Sequence, residues 1–145
     1  MGVPEGFAAR LSREEHGRVS ELPPDVPPSG AEAEIAAQIG VGGYERHLLL
    51  CAGPSCCSDV QGQATWAYLK TRLKELERLG QLPSKCVIRS RVNCLKICCG
   101  GPILIVYPEG IWYRNVTPEN AERIVSEHLG QGKIVEDLVI GENPL

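Results

Sequence analysis

Ile103-Leu-Ile-Val-Tyr-Pro-Glu-Gly-Ile-Trp-Tyr-Arg114 reads as two strands and the turn between them. Ile103 to Tyr107 is short, continuously apolar and rich in β-branched residues, as a strand covered on both faces should be. Pro108-Glu-Gly110 supplies turn chemistry, and Ile111 to Arg114 returns as the hairpin partner. Toward the C terminus, Thr117-Pro118-Glu119 opens a helix: threonine caps it, proline suits the first position, and the early acid faces the positive end of the dipole. That helix is expected to reach Gly130, with Ala121, Ile124, Val125, His128 and Leu129 as its core stripe. Toward the N terminus, Cys86 to Val92 alternates, with Cys86, Ile88, Ser90 and Val92 on one face and Arg89 and Arg91 on a solvated one. Before it, Gln63 to Leu79 reads as an amphipathic helix on Trp66, Leu69, Leu73 and Leu76, stopped by Gly80. Leu48 to Cys51 is a short buried strand. The order strand, helix, strand, strand, strand, helix predicts an α/β fold, a mixed sheet flanked by helices.

The rest of the chain sets limits. At 145 residues and 43% hydrophobic content it has enough apolar material for one domain with a real core. Five of the eleven prolines fall in the first 30 residues, which lack apolar periodicity, so this stretch is expected to be a flexible arm. A short helix fits Ala31 to Ile39, stopped by Gly40-Val-Gly-Gly43. Residues 1–44, with three basic and seven acidic side chains, are therefore expected to be an acidic, proline-rich, disordered or weakly helical arm; residues 45–145 are the folded domain. The remainder carries twelve basic and eleven acidic residues, without the basic excess that nucleic-acid binding rewards. No apolar run nears the roughly 20 residues of a membrane helix. Seven cysteines, an odd count, with no secretory leader pattern, point to a reducing compartment, the cytoplasm.

Four of those cysteines form two close pairs, Cys51-Ala-Gly-Pro-Ser-Cys56 and Cys94-Leu-Lys-Ile-Cys98, far apart in the chain. Local spacing fixes each pair and the fold must bring the pairs together, which is the pattern of a four-thiolate metal site. Each pair borders a loop with glycine and proline, where free backbone N–H groups can point at sulfur. A 2Fe-2S cluster and a structural zinc ion both accept four thiolates, and spacing does not separate them. Lys85, Arg89, Arg91 and Lys96 lie near the second pair in sequence; for Arg89 and Arg91 the simpler reading is the solvated face of a strand. Cys86 falls on an inward strand face and reads as a small hydrophobe. Cys57 and Cys99 are neighbours of the pairs and read as bystanders or spares.

Taken together, Cys51-x4-Cys56, Asn93-Cys-Leu-Lys-Ile-Cys98, Gly101-Pro-Ile-Leu-Ile-Val-Tyr-Pro-Glu-Gly-Ile-Trp-Tyr113, Val116-Thr-Pro-Glu119 and Glu127-His-Leu-Gly130 resemble the thioredoxin-like 2Fe-2S ferredoxins, relatives of the 2Fe-2S small subunit of bacterial NADH dehydrogenase and NAD-linked hydrogenases. The resemblance spans His47 to Ile140. It implies a thioredoxin-like αβ sandwich, one 2Fe-2S cluster held by Cys51, Cys56, Cys94 and Cys98, one-electron transfer to a redox partner protein without substrate chemistry, and the homodimeric assembly of several members. Vicinal Cys57 leaves the second ligand open, with Cys56 preferred because a four-residue gap is the family's short form. Residues 1–44 lack the helical N-terminal pattern of the dehydrogenase subunit, which points to a free carrier. Two other functions compete: a zinc-binding scaffold module on the same four thiols, and a thiol-disulfide redox protein, for which the sequence lacks Cys-x-x-Cys. His128 reads as a core-edge histidine, and no pairing of cysteine with histidine suits a Rieske centre. Trp112 and Tyr113 read as sheet-covering aromatics.

Overall fold

A strand that ends in a cysteine and lies between two partners organises the domain. In the computed structural model, which describes residues 30–145, β1 (Arg46–Cys51) is an interior strand of a five-stranded sheet. It runs parallel to β2 (Val87–Val92) and antiparallel to β3 (Ile103–Tyr107), so Cys51 has Val92 on one side and Ile103 on the other. β4 (Ile111–Tyr113) pairs with β3 as the expected hairpin, and β5 (Val139–Glu142) closes the order β2-β1-β3-β4-β5. Parallel neighbours finish at the same end of a sheet. The loops leaving β1 and β2, which carry the two cysteine pairs, therefore emerge side by side.

The helices follow from caps and apolar stripes. α1 (Ala31–Ile39) forms where expected and buries none of its residues. For residues 1–29, the expected flexible arm lies outside the described residues. α2 (Asp59–Arg78) starts four residues before the predicted Gln63. The reason is a capping box: Ser58 accepts from the Gln61 N–H at 3.2 Å while the Gln61 side chain accepts from the Ser58 N–H at 3.1 Å. Its buried stripe is Thr65, Leu69, Leu73 and Leu76, with Trp66 only half-buried. α3 (Pro118–Arg123) has the expected Thr117 cap and continues as a π-helical turn over Ile124–Leu129.

Period two divides the sheet into two faces. Leu48, Leu50, Leu104, Val106, Ile111 and Tyr113 meet α2 and α3 in the main core. The alternate residues Cys51, Ile103 and Trp112 form a smaller cluster with Cys56, Val92 and Leu95. β2 departs from its predicted faces. Arg89 is half-buried and its guanidinium lies 5.9 Å from the Trp66 ring centroid, and Arg91 reaches Asp59 at 3.8 Å, so both point toward α2. The arginine stems cover α2 because β2 is an edge strand with little else on that side. β5 was not legible: four residues including Gly141 carry no strand period.

Two buried polar groups tie the layers. Thr65, fully buried, donates to the Val116 carbonyl at 2.7 Å, linking α2 to the segment before α3. Thr65→Val keeps the shape and leaves that carbonyl unpaired, at an expected cost of about 1–3 kcal/mol. The readout is a lower denaturant midpoint at unchanged slope, and a midpoint equal to that of the wild type would contradict it.

His128 is 1% exposed. The Tyr113 hydroxyl accepts from the Val135 N–H at 3.3 Å and is hydrogen-bonded to His128 Nδ1 at 2.8 Å. Nε2 faces Glu109 at 3.7 Å, outside hydrogen-bonding range. Burial, with Arg46 acting in the same direction and Glu109 opposing, holds His128 below the usual imidazole value. The unfolded chain therefore binds this proton more readily than the folded one. The stability is complete well above the unfolded imidazole value of about 6.5 and is lost progressively as the pH falls through and below it. The melting temperature is expected to drop between about pH 7.5 and 5.5, and His128→Gln to flatten that slope. Parallel slopes for the two proteins would exclude this origin.

Candidate metal centre

The first pair is built into the sheet. Cys51 is the last residue of β1 and wholly buried; Cys56 is also buried, and their sulfurs are 3.1 Å apart. The intervening loop turns tightly, the Gly53 carbonyl accepting from the N–H groups of Cys56 and Cys57 at 3.1 and 3.4 Å. Ile103, Val92, Leu95 and Trp112 wall the pair with apolar surface.

The second pair lies at the surface. Cys94 and Cys98 are exposed, with sulfurs 4.0 Å apart and the Lys96 N–H donating to Cys94 Sγ at 3.2 Å. Lys96 and Cys98 have φ of 62° and 58°, the left-handed region that costs a non-glycine residue on the order of 1 kcal/mol. Such turns aim consecutive N–H groups at one point, as anion-binding loops do.

Electrostatics connect the two loops. Burial raises the Cys51 thiol, but the Cys56 thiol and the N–H groups of Gly53 and Leu95 outweigh it and bring Cys51 below the ordinary cysteine value. Cys56 is pushed up to about 11, chiefly by burial, then by hydrogen bonding to Cys51 and by its charge, while the Cys98 N–H acts the other way. Cys98 is raised by its hydrogen bond to Cys94, by the charge of Cys94 and by burial, with a further contribution from Cys51. All four predicted residues come to one end of the sheet.

Pairwise spacing is the informative geometry. Two sulfurs bound at about 2.3 Å to one tetrahedral metal lie roughly 3.8 Å apart. The observed 3.1 and 4.0 Å bracket that edge. Among the described residues no three His, Cys, Asp or Glu side chains are grouped to hold a single ion.

The remaining cysteines sit elsewhere. Cys57 is half-buried; burial first, then the Cys51 charge, raises its thiol, while Arg91 and the Gly62 N–H act against them. Cys86 belongs to the main core, as expected, and Cys99 is exposed. Lys85, near the second pair in sequence, precedes β2 and so stands about 20 Å of strand from the loop that follows it. Sequence reasoning also gave Trp112 no part here; its position one residue before the core-facing Tyr113 was the available signal.

A mixed sheet with helices on one face and paired thiols at the shared ends of two parallel strands defines a thioredoxin-like metalloprotein. No protein-family model matches the chain. It is 34% identical over 101 residues to a 2Fe-2S ferredoxin of Clostridium pasteurianum, covering 66% of this chain and 96% of that protein. It is 47% identical over 50 residues to a 2Fe-2S ferredoxin of Aquifex aeolicus, a match spanning 34% of this chain and 45% of the relative. The solved thioredoxin-like 2Fe-2S ferredoxin from Aquifex aeolicus superposes with a TM-score of 0.60 at 25% identity, covering 71% of this chain and 96% of that one. This chain belongs to the thioredoxin-like 2Fe-2S ferredoxins. Ferredoxins are electron carriers that serve partner proteins, and no helix among the described residues is long and apolar enough to cross a membrane.

Proposed function

We propose that this protein carries one electron at a time on a single 2Fe-2S cluster held by Cys51, Cys56, Cys94 and Cys98. The observation that carries the reading is the arrangement of thiols two by two, with sulfurs 3.1 and 4.0 Å apart, in loops that leave the same end of the parallel strands β1 and β2. A 2Fe-2S cluster supplies reversible one-electron chemistry and takes two protein sulfurs on each iron. The chain's own contribution is to hold, screen and expose. Ile103, Leu95, Val92 and Trp112 keep water from the first pair, and backbone N–H groups stabilise negative sulfur. Exposed Cys94 and Cys98 leave the other end open to a docking partner. No substrate chemistry is required of the protein, and seven free cysteines suit the reducing cytoplasm. Residues 45–145 form the electron-transfer domain, with 1–44 as an appended arm.

The test is composition and spin. Protein purified without oxygen is expected to contain about two irons and two acid-labile sulfides per chain and, once reduced, to give a paramagnetic signal at low temperature. One zinc per chain with no sulfide would establish the scaffold alternative instead.

A further inference from the structure

The two cysteine loops touch backbone to backbone at two glycines. A β-carbon on Gly53, two residues after Cys51, would lie 2.6 Å from the carbonyl oxygen of Asn93, the residue before Cys94. A β-carbon on Gly101, three residues after Cys98, would lie 2.8 Å from both the β-carbon and the carbonyl oxygen of Cys56. The Gly101 N–H also donates to that carbonyl at 3.0 Å. Neither glycine occupies the left-handed region, so any residue could adopt its backbone; what each position demands is space. The contacts are reciprocal, the first loop's glycine against the second loop and the second loop's glycine against the first.

We infer that Gly53 and Gly101 form a clasp that sets the gap between the Cys51–Cys56 and Cys94–Cys98 thiol pairs, and are positioning residues for the metal centre. The inference rests on the reading of those four cysteines as ligands. Its force is a matter of tolerances. Relieving either clash to ordinary contact moves the loops apart by on the order of 0.5–1 Å, several times the roughly 0.2 Å latitude of a metal–ligand bond. The obstacles are main-chain atoms and a β-carbon fixed to the main chain, flanked by sheet strands on one side and tied on the other by the Asn115 N–H to the Gly100 carbonyl at 2.7 Å. The clash cannot be absorbed by a rotamer change, so it falls on the gap.

Gly53→Ala and Gly101→Ala are compared with Leu69→Ala, which weakens the core without touching either loop. Two readouts are taken: iron and acid-labile sulfide per chain after reconstitution, and hydrogen exchange at the Gly101 amide in the metal-free protein. Both glycine variants are expected to retain less than about a fifth of the wild-type iron, while Leu69→Ala stays loaded. Metal-free Gly53→Ala is expected to exchange the Gly101 amide at least about tenfold faster, with the β1 amides unchanged, because opening one side of a clasp frees the other. Wild-type loading of both glycine variants, or an unchanged Gly101 exchange rate, would overturn the clasp. Cluster loss in Leu69→Ala equal to that in the glycine variants would also overturn it, by tracing the loss to general instability. A wild-type protein that takes up zinc without sulfide, yet shows the coupled exchange, would leave the clasp standing and remove the electron-carrier reading.

Discussion

Cys56→Ser is expected to abolish the visible thiolate-to-iron absorption, whereas Cys57→Ser leaves it intact. The two residues are adjacent, and in the sequence only the family's short four-residue gap favours Cys56. The fold separates them. Cys56 is buried with its sulfur 3.1 Å from that of Cys51, while Cys57 is only half-buried and makes no such contact with Cys51. A serine oxygen is a poorer partner for iron than thiolate and too short to restore the sulfur position. Cys51→Ser, Cys94→Ser and Cys98→Ser are expected to lose the spectrum as Cys56→Ser does, and Cys86→Ser, in the main core, to keep it. Absorption and iron content of the set measured side by side check the assignment. Equal loss from Cys56→Ser and Cys57→Ser would show that the loop supplies either sulfur.

Leu69→Ala is expected to do the opposite, lowering stability by about 2–5 kcal/mol while leaving the spectrum of the folded protein unchanged. Leu69 is fully buried at the centre of the α2 stripe, against the sheet face formed by Leu48, Leu50, Leu104 and Val106. Close packing on all sides prevents collapse into the space left, so the cost is the lost transfer energy plus a cavity. For a domain of this size the melting temperature should fall by roughly ten degrees. The cysteine cluster lies on the other face of β1, so the effects should separate. A cavity variant that bleaches without unfolding would mean the two faces are coupled more tightly than their alternation implies.

Much of the architecture was legible because each signal was local. The turn Pro108-Glu-Gly110, the Thr117 cap and the stripe of Ala121, Ile124, Val125, His128 and Leu129 all stand where read, and Cys86 packs as the small hydrophobe it resembled. The start of α2 was misplaced because apolar period outweighed the Ser58-x-x-Gln61 cap. The faces of β2 were misread because its arginine stems, not its alternate apolar residues, cover α2.

By itself the sequence determined that two pairs of thiols exist, each spaced by its own loop, and that strands and helices alternate in an order that forms a mixed sheet. Only tertiary structure decided that the two cysteine loops leave the same end of the sheet, that Cys56 is more deeply buried than Cys57, and that Gly53 and Gly101 stand between the loops. The physical reason is that spacing along a chain constrains neighbours, whereas the separation of residues 40 positions apart depends on strand direction. The parallel pairing of β1 with β2 puts Cys51 and Asn93 at one end of the sheet, and that pairing exists only once the core beneath it has formed.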